Sequence, residues 1–362
     1  MSGTASEHAA LPEHPQFATL FGLVEHYSPS GAERPAVDWL VSRMHALGFA
    51  RAWRDPAGNA VGVRGAGPRQ IVLLGHIDTV SGEIPPRLED GRLFGRGAVD
   101  AKGPLAAFVD AAAQVAPAPG WQIMVIGAVD EERDSAGARY VRDRCQPQFA
   151  VIGEPSRWDR VTLGYKGSAW AEVSCRTPAA HSAGQTAHAC EQAAAVWEAV
   201  RAWAAEFNHG RERAFDQLLP ALRGLASGSD GFEDWARIQV GVRLPPDWSP
   251  EAWYTRLQEL AAGAQVERTG FAIPAYQAEK NTPLVRAFLA AIRNQGGRPG
   301  FVLKTGTADL NLVAPAWGCP AVAYGPGDSS LDHTPHEHIL LDEYVQAVAV
   351  LTAMLPRLCA AD

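Results

Sequence analysis

Lysine is scarce in this chain of 362 residues: there are four, Lys102, Lys166, Lys280 and Lys304, against 28 arginines. Cysteine is nearly as rare, with five scattered residues (Cys145, Cys175, Cys190, Cys319, Cys359) and no C-x-x-C pair. That excludes a disulfide framework and a thiolate zinc site, and it fits a reducing, cytoplasmic setting. No stretch approaches the roughly eighteen uninterrupted apolar residues of a membrane span. The start from Met1 to Pro15 is polar and alanine-rich, so no secretory signal is expected there. Basic charge is in deficit, 32 against 40 acidic side chains for a formal net charge of -8, which argues against nucleic acid or an anionic membrane as the main partner.

Genomic base bias accounts for the arginine-to-lysine ratio. Each retained lysine nevertheless lies beside a Gly- or Pro-punctuated segment, as if a compact ammonium were needed there rather than a planar fork. At least two of the four are therefore expected to touch substrate.

What is present is ample material for cores. The chain is 47% hydrophobic and 20% charged, and its length predicts two domains. Apolar periodicity predicts a helix over Glu33 to Leu47, a buried strand over Ile71 to Leu74, a helix over Pro104 to Val115, a strand over Ile123 to Val129, a helix over Ser135 to Arg144 and a strand over Phe149 to Ile152. Such alternation is that of an α/β layer with a mainly parallel sheet and helices on both faces. Between about 167 and 279 the pattern becomes that of a smaller α+β unit, and from 280 the α/β character returns. The expected domains are thus 1–166 and 280–362 for one layer, with 167–279 inserted.

The chemistry-bearing residues follow the buried strands, where open α/β sheets place their ligands. His76 and Asp78 are two apart in extended chain and point the same way, which suits an imidazole held by a carboxylate. Alone, H-x-D more often marks a satisfied loop histidine. Asp100 lies in a glycine-flanked turn before a helix, where an N-cap is the plain alternative. Asp130-Glu131-Glu132 closes one strand and Glu154 another; consecutive acids at a strand end are costly unless cations or protons compensate. A late histidine is drawn from His333, His336 and His338, which the residues themselves do not distinguish. Two histidines and several carboxylates together suit two divalent ions sharing a bridging carboxylate, with a neighbouring acid as general base.

At this point the chain resembles the co-catalytic zinc family of aminoacylases, acetylornithine deacetylases, succinyl-diaminopimelate desuccinylases and glutamate carboxypeptidases. The resemblance implies that His76 and Glu154 bind one zinc, Glu132 and His333 the other, and that Asp100 bridges. It implies Glu131 as general base and Asp78 as the group orienting His76. Cobalt or manganese would suit the same ligands. The family's inserted domain makes a homodimer and sends a histidine into the neighbouring site; His181, in His181-Ser182-Ala183-Gly184, matches that position and would stabilise an oxyanion. Arg243 resembles the family's carboxylate-gripping arginine, though Gly241 stands where relatives often carry a polar or acidic residue.

Narrower segments, Gly97 to Pro104, Val151 to Ser156, Leu163 to Gly167, Glu279 to Pro283, Lys304 to Asn311 and Tyr324 to Ser329, are similar to hydrolases that free lysine, or ornithine, from the amino-group carrier protein LysW. That resemblance implies an acidic carrier as substrate and so a local basic rim, for which Arg157, Arg160, Lys166, Lys280 and Lys304 are candidates. Lys166, Lys280, Lys304, Asp309 and Asn311 are the further substrate candidates, with Glu279 or Asp309 as the acidic group for a lysine side chain. Two alternatives stand beside this reading: a deacylase of free N-acetyl-ornithine, N-acetyl-lysine or N-succinyl-diaminopimelate, and a carrier-binding protein without activity.

Overall fold

The computed structural model describes residues 14–181 and 187–360. The chain divides into two compact units: 1–163 with 278–302 and 308–362, and 164–277 with 303–307. The short piece 303–307 is a departure from the expected boundaries. It joins the smaller unit because Lys304 O accepts from Lys166 N at 3.2 Å and the Thr307 hydroxyl lies between Arg243 and the Lys166 carbonyl.

The larger unit is built on a mixed sheet. Four strands at its centre run parallel, in the order Trp121–Ala128, Arg69–His76, Phe149–Gly153, Ala321–Ala323. Ala60–Gly65 and Arg51–Arg54 extend one side, and Arg160–Tyr165 the other, all antiparallel. The parallel strands read as continuous apolar runs because neighbours cover them; Ile71, Val72, Leu73 and Leu74 are each 0% exposed. Each such side chain stabilises the fold by about 1.5–3 kcal/mol. One set of helices contains Arg34–Ala46, Lys102–Gln114, Pro283–Asn294 and Leu341–Cys359; a second pairs Ala136–Arg142 with Asp309–Trp317. Helix Pro283–Asn294 starts where its sequence says it should: the Thr282 hydroxyl accepts from Val285 N, and Pro283 fills the first turn.

Close packing at the strand ends depends on glycine. Gly75 pairs in register with Gly127 on one side and Gly153 on the other. A Cβ on Gly153 would meet Phe108 Cε2 at 3.0 Å and Gly75 Cα at 3.1 Å; one on Gly75 would meet Leu105 Cβ at 3.2 Å. Bare backbone at this level lets helix Lys102–Gln114 lie directly on the sheet.

The smaller unit is a four-stranded antiparallel sheet, ordered Leu219–Ser229, Glu233–Leu244, Gly167–Pro178, Gln265–Ile273, with helices Ala189–Phe207 and Pro250–Leu260. Trp253, Leu257, Val240 and Val173 are at its core. Among the described residues, no helix is long and apolar enough to cross a membrane. All five cysteines are free thiols.

Candidate metal centre

Parallel strands in close register deliver their C-terminal residues to one level. His76 is the last residue of its strand and pairs with Ala128; Gly75 pairs with Gly153, whose successor is Glu154. Asp100 lies two residues ahead of helix Lys102–Gln114, and its peptide bond to Ala101 is cis. His333 follows the short helical turn Ser329–Leu331. With Glu132, four residues beyond strand Trp121–Ala128, strand ends, one turn and one loop thus bring together five side chains from across the larger unit.

Asp100 lies between the two imidazoles: Oδ1 is 3.2 Å from His76 Nε2 and Oδ2 is 3.0 Å from His333 Nε2. His333 Nε2 is also 3.0 Å from Glu132 Oε1. Two ligand groups result, His76–Asp100–Glu154 and Asp100–Glu132–His333, in each of which the donor atoms lie within 4.8 Å of one another. They share Asp100. A third combination, His76 with Glu131 and Glu132, meets the same spacing.

Asp78 holds this arrangement from behind and is 0% exposed. Its Oδ1 lies 3.5 Å from His76 Nδ1, which also contacts the Asp78 carbonyl at 3.0 Å. The same carboxylate accepts from Glu131 N at 3.0 Å, Glu132 N at 3.1 Å and the Ser30 hydroxyl at 2.6 Å. Ser30 carried no signal in the sequence, because only folding brings it to Asp78.

Without cations, protons must balance these acids. Burial opposes a charged His76, but hydrogen bonds to Asp100 and Asp78 and the Glu131 charge leave its pKa well raised. His333 is raised to about 10 by its bonds to Asp100 and Glu132. Burial pushes Asp100 upward, yet both imidazoles bring it below the usual carboxylate range. Burial raises Glu131 and Glu154 well above that range; neighbouring acids add to the shift, against the His76 charge. Asp309, 3% exposed, is raised to about 7 by burial, with Ser135 hydrogen bonding in the other direction.

The four lysines have different surroundings. Lys166 is 0% exposed, and its ammonium donates to the carbonyls of Ala214, Phe215 and Gln217, so it cannot form part of a surface rim. Lys102 is 0% exposed as well and donates to His26 O at 2.6 Å. In both, the compact ammonium serves backbone carbonyls. Arg157 pairs with Asp328, and Arg160 with Asp159 at 2.6 Å. Lys280 and Glu279 are exposed, Lys304 is half-buried and Asn311 is buried. In the smaller unit, Arg243 donates to the Thr307 hydroxyl and His181 is exposed; Ser182, Ala183 and Gly184 lie outside the described residues.

A mixed α/β sheet with carboxylates and imidazoles converging at its strand ends defines a class, that of the metal-dependent amide hydrolases. Residues 72–357 match the family model described as peptidase family M20/M25/M40, and the chain belongs to that family. It is 44% identical to the [LysW]-lysine hydrolase of Deinococcus radiodurans over 340 residues, covering 91% of this chain and 93% of the relative. It is 28% identical to a [LysW]-lysine/[LysW]-ornithine hydrolase of Saccharolobus islandicus, over 80% of this chain and 81% of the relative. The structure of an M20 metallo-carboxypeptidase from Sulfolobus solfataricus superposes with a TM-score of 0.77 at 18% identity, covering 96% of this chain and 100% of the other.

Proposed function

We propose that this chain uses two divalent ions, zinc in the first instance with cobalt accepted, to hydrolyse the amide joining lysine, or ornithine, to the terminal glutamate of a LysW-type carrier protein. The observation that carries the two-metal reading is the pair of ligand groups meeting at Asp100. Carboxylates gathered in a desolvated site repel one another unless cations or protons intervene, so the donor set fits such ions. His76 and Glu154 would hold one, Glu132 and His333 the other, with Asp100 between. When bound, the ions supply polarisation of the scissile carbonyl and acidify water.

The protein's own residues supply the proton traffic. With Glu132 assigned to an ion, Glu131 is the general base: it takes a proton from the attacking water and returns it to the departing amine nitrogen. Burial raises its affinity for a proton, which suits a group that must take one up. Asp78 keeps the His76 ring and the Glu131-Glu132 backbone in place. Arg243 is assigned to the substrate carboxylate and Asn311 to the polar wall, with Asp309 or Glu279 for the substrate's amine.

Similarity over 80–91% of the chain to relatives named for [LysW]-lysine supports the carrier as substrate. A homodimer through the smaller unit is part of this reading, with His181 completing the partner's oxyanion site. An outer strand, Leu219–Ser229, that exposes Leu225 (71%), and Phe232 (85%) just beyond it, supports that contact surface. Five free thiols support a cytoplasmic location.

Turnover of carrier-linked lysine should be compared with that of N-acetyl-ornithine, N-acetyl-lysine and N-succinyl-diaminopimelate. The metal-loaded enzyme should favour the carrier-linked substrate, and Glu131→Gln should lower its turnover by about 10²–10⁴ with both ions retained. Preference for a free acyl amino acid would replace the carrier reading.

A further inference from the structure

Beside the ligand set lies a buried ion pair that the roles above do not use. Arg96 Nη1 and Glu337 Oε2 are 2.9 Å apart, and the two residues are 7% and 1% exposed. Glu337 Oε1 accepts from the backbone N–H of Val99 at 3.0 Å and of Asp100 at 3.1 Å. Its own carbonyl accepts from Gly95 N at 3.3 Å. Arg96 in turn donates to Gly82 O at 2.8 Å and Thr334 O at 3.3 Å. One ion pair therefore stitches the loop carrying Asp100 to the loop carrying His333.

A buried pair is a costly way to gain stability, since apolar side chains of similar volume serve as well or better. Its directional bonds do what apolar contacts cannot: they fix the separation of two loops. His333 needs such support, since its backbone is held at φ 62°, a conformation that non-glycine residues rarely adopt. Asp100 and His333 are both ligands in the Asp100–Glu132–His333 group, whereas the His76–Asp100–Glu154 group takes only Asp100 from these loops.

We infer that Glu337, anchored by Arg96, is a positioning residue that sets the spacing of Asp100 and His333 and so selectively determines how tightly the second ion is held. This rests on the two-metal reading. The test is a competition titration of the full-length protein with Co(II) or Zn(II) against a chromophoric chelator, with the melting temperature of each metal-free variant recorded alongside. Wild type should bind two ions. Glu337→Ala should keep the first within about twofold and weaken the second by about 10–100-fold, the usual effect of removing a group that orients a ligand. Glu337→Gln, which keeps an oxygen opposite the Val99 and Asp100 amides, should recover part of that loss; it decides the matter if the alanine variant does not fold. Wild-type affinity for both ions in the variants, or equal weakening of both, overturns the proposal, even if melting falls. Wild type binding only one ion would instead sink the two-metal reading.

Discussion

Asp78 makes one carboxylate serve four partners: the His76 ring, the Glu131 and Glu132 amides and the Ser30 hydroxyl. Replacing it with alanine leaves all four without that acceptor in a buried place. Asp78→Ala should therefore lower stability by about 3 kcal/mol, read by denaturant unfolding of the metal-free protein, and weaken metal binding about 10–100-fold. An unchanged metal affinity would mean that His76 is oriented by something else. The two-residue spacing of His76 and Asp78 was readable in the sequence. The reach of Asp78 to Glu131 and Glu132 was not, because those amides are 53 and 54 positions away and arrive from another strand.

The protonation of this site predicts a pH dependence at the same scale. His333 has a folded pKa of about 10 against 6.5 unperturbed. Its contribution to the stability of the metal-free protein is full below about 6.5 and is lost as pH rises toward 10. Glu131 and Glu154, also raised, act in the same direction: the folded state holds their protons more tightly, an advantage that disappears as they ionise. Asp78 and Asp100 are lowered and act oppositely, but only in acid. Bound cations replace those protons. The melting temperature of chelator-treated protein should fall between pH 6.5 and 10, with the gap to metal-loaded protein widening. A constant gap across that range would contradict the assignment.

Among the elements, the glycine row across Gly127, Gly75 and Gly153 governs how helix Lys102–Gln114 seats, and with it Asp100, two residues ahead of the helix. Gly153→Ala places a Cβ against Phe108 and the Gly75 backbone. The expected cost is about 1–3 kcal/mol, measured by unfolding, because a packed core yields little to an added methyl. Gly306, where a Cβ would meet nothing within 4 Å, is the control: Gly306→Ala should change stability by no more than about 0.5 kcal/mol. Equal effects at the two positions would show that the helix has room to shift. Central strands and long helices were legible from apolar periodicity. Strand Leu219–Ser229 was not, since its glycines and serines and its exposure leave no alternating pattern.

For the whole molecule the issue is charge. A net charge of -8 would oppose approach by the acidic carrier proposed as substrate, so that reading calls for local basic groups. Burial removes Lys166 from the proposed rim; Arg157 and Lys280 are exposed, and theirs are the charges a test can reverse. Arg157→Glu combined with Lys280→Glu should raise KM for carrier-linked lysine about tenfold at low salt. The effect should shrink as ionic strength increases, with kcat unchanged. A KM indifferent to the charge reversal at every salt concentration would place the carrier on another surface.

The amino-acid sequence by itself determined the alternation of buried strands and helices, the inserted unit and the positions of acids and histidines just beyond apolar strands. Those are local properties: burial writes apolar runs, and extended chain sends residues two apart in one direction. Only the tertiary structure decided that His333, rather than His336 or His338, meets Asp100 and Glu132, and that Asp100 lies between both imidazoles. His338 is turned instead to the His336 carbonyl and the Phe94 ring. Strand register and loop packing settle such meetings between residues 201 positions apart and more, and no local spacing encodes them.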